Sequence, residues 1–240
     1  MPQSDAAPLE RRWLGRIDYR TAWRLQHDLV ERRATGEIGD QLLLLEHPSV
    51  LTLGRQASPE HVLASSAELD RSGIELIRVE RGGEVTFHGP GQLVAYPIVA
   101  LAQRGLLLRP FVRALERAMA DTAAAYGVAA GPRAGFPGCW CAAESQRPRK
   151  LGALGLRVER GVTYHGIALN VTTDLDHFGL IDPCGLAGIE VTSIAREARW
   201  PPAEGRPSTS SVEEAAGHFA AAFEQALPRA AGSRALAATG

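Results

Sequence analysis

Lysine is all but missing from this chain. Of its 26 Lys and Arg residues, 25 are arginine and one is lysine, Lys150. A compositional bias that converts dispensable lysines to arginines accounts for the skew. Arginine solvates a surface and pairs with carboxylates as lysine does, but only an ammonium can give up its proton when desolvated. The surviving lysine therefore stands as a candidate for chemistry that a guanidinium cannot do. Other scarcities exclude whole classes. No run approaches the ~18 apolar residues of a membrane span, so none is expected. Residues 1–9 lack an apolar h-region and are not read as a signal peptide. The three cysteines, Cys139, Cys141 and Cys184, are too few and odd in number for a disulfide framework. A net charge of −1 argues against a nucleic-acid binder. A cytoplasmic protein with reduced thiols is expected.

What is there reads as an ordinary globular chain, 45% hydrophobic and 22% charged, which suffices to bury a core. Asp18 is placed to cap a helix to about Arg33, with Ala22, Leu25, Leu29 and Val30 on one face. Leu42–Leu45, Val50–Leu53, Ile74–Val79 and Gln92–Val99 read as strands, and Ser58-Pro59-Glu60 as the start of a helix to about Leu69. From Pro110, the stripe Phe111, Ala114, Leu115, Ala118, Met119 and Thr122 keeps helical period until Gly127. Residues 149–171 read as two strands turning at Glu159-Arg160-Gly161. Pro201–Pro207 reads as a linker. Ser211 and Glu214 have capping-box spacing ahead of the stripe Val212, Ala215, Ala216, Phe219, Phe223 and Leu227. Strands and helices mix without βαβ alternation, which predicts an α+β fold, a mixed sheet flanked by helices.

Four segments carry candidate chemistry. Arg81-Gly82-Gly83-Glu84-Val85-Thr86-Phe87-His88-Gly89-Pro90-Gly91-Gln92 concentrates glycine where backbone could approach a ligand, beside an arginine with forked donors. An elaborate hairpin with a structural histidine explains the same string, and it matches no phosphate-binding fingerprint. Lys150-Leu151-Gly152-Ala153-Leu154-Gly155 follows the lysine with small residues that leave room for a ligand chain. In Tyr164-His165-Gly166-Ile167-Ala168, His165 is either a satisfied core histidine or a site group. Pro183-Cys184-Gly185 puts a cysteine on a sharp turn. A lone cysteine is usually a small buried hydrophobe; a nucleophilic one needs a nearby cation, which Lys150 could supply. Cys139-Trp140-Cys141 lacks a second ligand pair, so no metal site is expected.

Taken together, these segments, with Glu46-His47-Pro48, Thr52-Leu53-Gly54-Arg55-Gln56 and Tyr96-Pro97, resemble the lipoyl (octanoyl) transferases of lipoate biosynthesis. The resemblance implies a single catalytic domain over 10–227, with 1–9 and 228–240 as disordered tails. It implies a fold like that of biotin protein ligases and lipoate-protein ligases. It also implies a Cys184/Lys150 acyltransferase pair and an acyl site on Arg81–His88, Ala153–Gly155 and Gly166–Ala168, with no metal or other cofactor. The implied donor is octanoyl-acyl carrier protein. The implied acceptors are lipoyl domains of 2-oxoacid dehydrogenase complexes and the glycine-cleavage H protein. An ATP-dependent lipoate-protein ligase, a thioesterase and a non-catalytic acyl- or carrier-binding module are the competing readings. Arg11, Arg12, Arg16, Arg147 and Arg149 are candidate docking cations for acidic partners.

Overall fold

Asp18 accepts the Thr21 N–H at 2.9 Å and opens helix α1 (Tyr19–Ala34), whose apolar stripe is buried as the period requires. The computed structural model describes residues 9–182, 189–199 and 209–227. Cys184, residues 1–8 and 228–240 of the two expected tails, and the Pro201–Pro207 linker lie outside the described residues, as does the side chain of Ser211. Leu9, counted with the first tail, is buried in the core.

Along the chain follow β1 (Glu10–Arg16), α1, β2 (Gln41–Glu46), β3 (Val50–Leu53), α2 (Ser66–Ser72), β4 (Glu75–Arg78), β5 (Val85–His88) and β6 (Gln92–Ile98). After them come α3 (Leu108–Ala125), β7 (Ala130–Arg133), β8 (Phe136–Cys141), β9 (Arg149–Glu159), β10 (Val162–Asn170), β11 (Glu190–Val191), α4 (Ile194–Glu197) and α5 (Thr209–Ala226). The large sheet runs β1-β2-β6-β10-β9-β8-β7, with β11 parallel to β9; a small sheet runs β4-β3-β5. β1 pairs parallel with β2 while β2, β6, β10 and β9 pair antiparallel, so the sheet is mixed.

The period-two rule splits the core. On β6, Leu93 and Ala95 pack with α3 and α5, where Phe111, Leu115, Phe219 and Phe223 are buried. Val94, Tyr96 and Ile98 pack on the opposite face with Ala22, Leu29 and Val30 of α1. The hairpin between β9 and β10 turns at Arg160 and Gly161, both at positive φ (50° and 80°), as a two-residue turn matching the strand twist demands.

Several expectations need correction. The helix over Ser58–Leu69 is two pieces. A single 3-10 turn at Pro59–His61 stops where Val62 turns extended and Leu63 N–H bonds Leu180 O at 2.9 Å. A new helix then starts at a reciprocal capping box between Ser65 and Glu68. α3 begins two residues before Pro110, and α5 begins before Ser211. β1, β5, β7 and β8 had no strand signal. β1 is a polar edge strand, β5 sits inside the glycine-rich string, and β8 contains Pro137 and Gly138.

Candidate active site

β9 carries one residue more than its neighbour. Cys139 pairs with Gly152 but Trp140 with Lys150, so Leu151 is a bulge. A regular strand would put Lys150, Gly152 and Leu154 on one face. The bulge instead sends Leu151 into the α3 core and turns Lys150 to a cavity of about 620 Å³. That volume is within the ~300–1,000 Å³ usual for small-molecule sites. Lys150 Nζ stands 5.3 Å from the Trp140 ring centroid. Trp140 is fixed by its Nε1–H bond to Phe136 O at 3.0 Å, with Phe136 and Pro137 at the cavity edge.

The cavity floor is a carpet of small residues. Ala153 of β9 pairs with Ala168 of β10, and Gly155 with Gly166. The glycine-rich string forms the roof and touches the floor, with Gly82 N–H bonded to Leu156 O at 3.0 Å. A Cβ at Gly155 would meet Gly82 O at 2.7 Å, so that approach requires glycine. Arg81, Gly82, Gly83, Glu84, Val85, Thr86 and His88 all border the cavity, as do Leu154, Gly155, Ala153, Gly166, Ile167 and Ala168. Phe87 does not. It points away from the cavity, and its ring stacks on His177 at 4.8 Å. Nor does Arg81 hold its fork open for a ligand. Buried, it donates to Thr52 O at 2.6 Å, Thr52 Oγ1 at 2.9 Å and Gly82 O at 3.0 Å, and so shapes the loop.

One edge of the cavity is a hydrogen-bonded polar wall. His88 Nδ1 meets Gln92 Oε1 at 2.8 Å; Gln92 Nε2 donates to Asn170 Oδ1 at 2.9 Å; Asn170 Nδ2 donates to Thr192 O at 3.0 Å. Thr192 N–H closes the chain on Lys150 O at 2.9 Å, so β11 is locked beside the lysine. Behind this wall His47 is fully buried. Its Nδ1 faces Ile17 O at 2.8 Å, which can only accept, so Nδ1 carries the proton and Nε2 accepts from Tyr96 O–H at 2.8 Å. Burial pushes the His47 pKa down to about 4, and burial likewise holds His88 well below its ordinary value. Burial also raises Tyr19 to about 12. The histidines here are neutral, and an apolar group meets no charge from them.

Cys139 and Cys141 lie buried in β8, where burial raises their thiols to about 12 and about 11. They are packing residues. Among the described residues no three His, Cys, Asp or Glu side chains gather as a metal cluster, and no helix is long and apolar enough to cross a membrane. Three of the candidate docking arginines already pair within the fold: Arg11 with Glu224, Arg16 with Glu46 at 3.4 Å and Arg149 with Glu197 at 2.6 Å. Sequence reasoning missed Trp140, Phe136, Tyr19 and Asn170 as cavity residues. Cys139-Trp140-Cys141 had drawn attention only for its sulfurs, and nothing local marks the ring between them as the lysine's neighbour.

The family described as "Lipoyl protein ligase A/B catalytic domain" matches residues 18–224, nearly the whole described chain. Similar solved structures include a bi-partite lipoate protein ligase from Thermoplasma acidophilum. Its TM-score is 0.64 at 16% identity, covering 92% of this chain and 84% of that one. A lipoate-protein ligase A bound with ATP gives 0.63 at 16%, covering 90% and 86%. At such identities the likeness establishes the fold. Sequence relatives go further. An octanoyltransferase of Chloroflexus aurantiacus is 47% identical, covering 80% of this chain and 85% of its own. One of Myxococcus xanthus is 48% identical over 77% of this chain, which spans 52% of that longer relative. The chain belongs to the octanoyltransferase family, and is an acyltransferase with the lipoate-ligase fold.

Proposed function

We propose that the chain moves an octanoyl group from octanoyl-acyl carrier protein onto a lysine of lipoyl domains, through a thioester on Cys184. The observation that carries this reading is the sole lysine of the chain standing at an apolar cavity floored by Ala153, Gly155, Gly166 and Ala168. Two described residues on either side of Cys184 in the chain support it: Asp182, next to the glycine-rich loop's neighbour His61, and Val191, beside Lys150. Asp182 N–H bonds His61 O at 2.8 Å, and Val191 pairs with Lys150.

In the first half-reaction the Cys184 thiolate attacks the donor thioester carbonyl, and the carrier thiol leaves with a proton. In the second, the acceptor amine attacks the new thioester, an amide forms, and Cys184 is regenerated. Lys150 supports the thiolate and takes part in the proton transfers. A thioester is converted to a more stable amide, so ATP has no role. The Thermoplasma ligase is described together with an E2 lipoyl domain, which supports an acceptor of that kind. Lipoyl domains of 2-oxoacid dehydrogenase complexes and of the glycine-cleavage H protein are the acceptors in this reading.

Intact-mass measurement after mixing the protein with octanoyl-acyl carrier protein, without ATP, tests it. Wild type should gain one octanoyl group, labile to hydroxylamine and discharged by a lipoyl domain, and Cys184→Ser should gain no such adduct. Transfer seen only with ATP and free octanoate would instead make the chain a ligase.

A further inference from the structure

His165 is the one group at the far end of the cavity that acyl transfer leaves unexplained. It borders the cavity, is 1% exposed, and has φ +53°, a backbone region that ordinary side chains avoid. The fully buried Gln26 of α1 holds it there, accepting the His165 N–H at 2.8 Å. Tyr164 stacks on the ring with centroids 4.9 Å apart, and Tyr96 meets it edge-on at 6.4 Å. Yet neither ring nitrogen has a hydrogen-bond partner among the described residues. The closest carboxylate oxygen, Glu80 Oε1, is 3.7 Å from Nε2, beyond hydrogen-bond length. That oxygen is itself held by Trp23 Nε1 at 3.0 Å and His27 Nε2 at 2.8 Å. Fully buried nitrogens with no partner are costly, and a strained backbone adds to the cost. Three elements cooperate to keep this ring in place.

The register says where the ring sits. His165 pairs with Leu156, six residues along β9 from Lys150. One of those residues is the bulge, so five regular steps separate the two ends by roughly 17 Å. An extended eight-carbon acyl chain with ~1.5 Å bonds reaches roughly 9 Å. The difference leaves room for a thioester group at the Lys150 end and the van der Waals shell of the terminal methyl at the other. An octanoyl methyl then stops over Gly155 and Gly166, one residue short of His165. A longer chain drives methylenes against two buried ring nitrogens that make no hydrogen bond within the described residues.

We infer that His165, backed by Glu80, is the polar stop of the acyl cavity and sets the length of chain the enzyme accepts. The inference rests on the acyl-transfer reading above. A polar stop differs from a steric one in a checkable way, because it favours a polar terminus over an apolar one of the same size. The 8-hydroxyoctanoyl and nonanoyl groups are such a pair.

Transfer rates to a lipoyl domain, measured as kcat/KM for carrier protein loaded with octanoyl, nonanoyl, 8-hydroxyoctanoyl or dodecanoyl groups, test the stop. Wild type should prefer 8-hydroxyoctanoyl over nonanoyl by about tenfold, the worth of one ordinary hydrogen bond. In His165→Gly, which suits the positive φ and removes the ring, that order should reverse. The dodecanoyl-to-octanoyl ratio should also rise about tenfold or more, since the apolar floor now continues. Nonanoyl transferred as well as or better than 8-hydroxyoctanoyl by wild type overturns the inference, even if the glycine variant fails to fold. Calorimetric binding of free 8-hydroxyoctanoate and nonanoate to wild type separates the two levels. Discrimination without transfer would leave the stop standing and remove the transferase reading; equal binding would remove the stop alone.

Discussion

Lys150 faces the cavity because Leu151 is an extra residue in β9, and the Trp140 ring then flanks its ammonium at 5.3 Å. Arginine at this position would keep the positive charge and a contact with the ring, but would be longer and unable to release a proton near neutral pH. In the proposed mechanism Lys150→Arg should therefore melt like wild type while the rate of Cys184 acylation falls by about 10²-fold or more, the usual worth of a positioned acid or base. Stopped-time mass spectrometry of the acyl-enzyme measures it. Full-rate acylation in the variant would reduce the lysine to a replaceable charge. This residue was legible from composition alone, since a lone lysine among arginines needs no structure to stand out. Trp140 was not, because a tryptophan between two cysteines becomes the lysine's neighbour only after β8 and β9 pair with a one-residue slip.

The paired strands β6, β10 and β9 show how an element sets the site. Gly166 sits opposite Gly155, and a Cβ built on it would lie 2.0 Å from Ala95 O and 2.8 Å from Pro97 Cδ. The first obstacle is backbone and cannot rotate aside, so Gly166→Ala must push β6 and β10 apart. A cost of about 3 kcal/mol is expected for such overpacking. For a chain of this size that lowers Tm by roughly 6–12 °C. A thermal melt within about 2 °C of wild type would show that the strands separate more easily than their register implies. Helices α1, α3 and α5 were readable because each has a long apolar stripe of period 3.6. The strands β5, β7 and β8 were not. They are short, β7 and β8 carry glycine and proline, β5 is embedded in the glycine-rich string, and all three take their stability from neighbours far away in sequence.

Across the whole molecule the buried histidines make the fold sensitive to acid. His47 is neutral in the folded protein, with its pKa pushed from 6.5 to about 4 by burial. Between these values the unfolded chain binds the proton and the folded one does not. Its contribution is thus complete above pH 6.5 and is lost as pH falls from 6.5 to about 4. The loss reaches up to about 3 kcal/mol for this residue. His88, shifted the same way by burial, adds to it. Denaturant melts at a series of pH values from 7 to 4 should show stability falling through this window, with a shallower fall in His47→Gln. A flat profile, or the same slope in the variant, would place the acid sensitivity elsewhere.

By itself the sequence determined the long helices α1, α3 and α5, the faces they bury, and which reactive residue types stand at Lys150, Cys184 and the glycine-rich loops. Those properties depend on neighbours within a few residues, where periodicity, capping and side-chain type act directly. Only the tertiary structure decided that a bulge turns Lys150 to the cavity, that Phe87 leaves it, that Arg81 is occupied by Thr52, and that His165 borders it. Each of these depends on the pairing register of strands distant in sequence, and a shift of one residue there would reverse which side chains face the cavity.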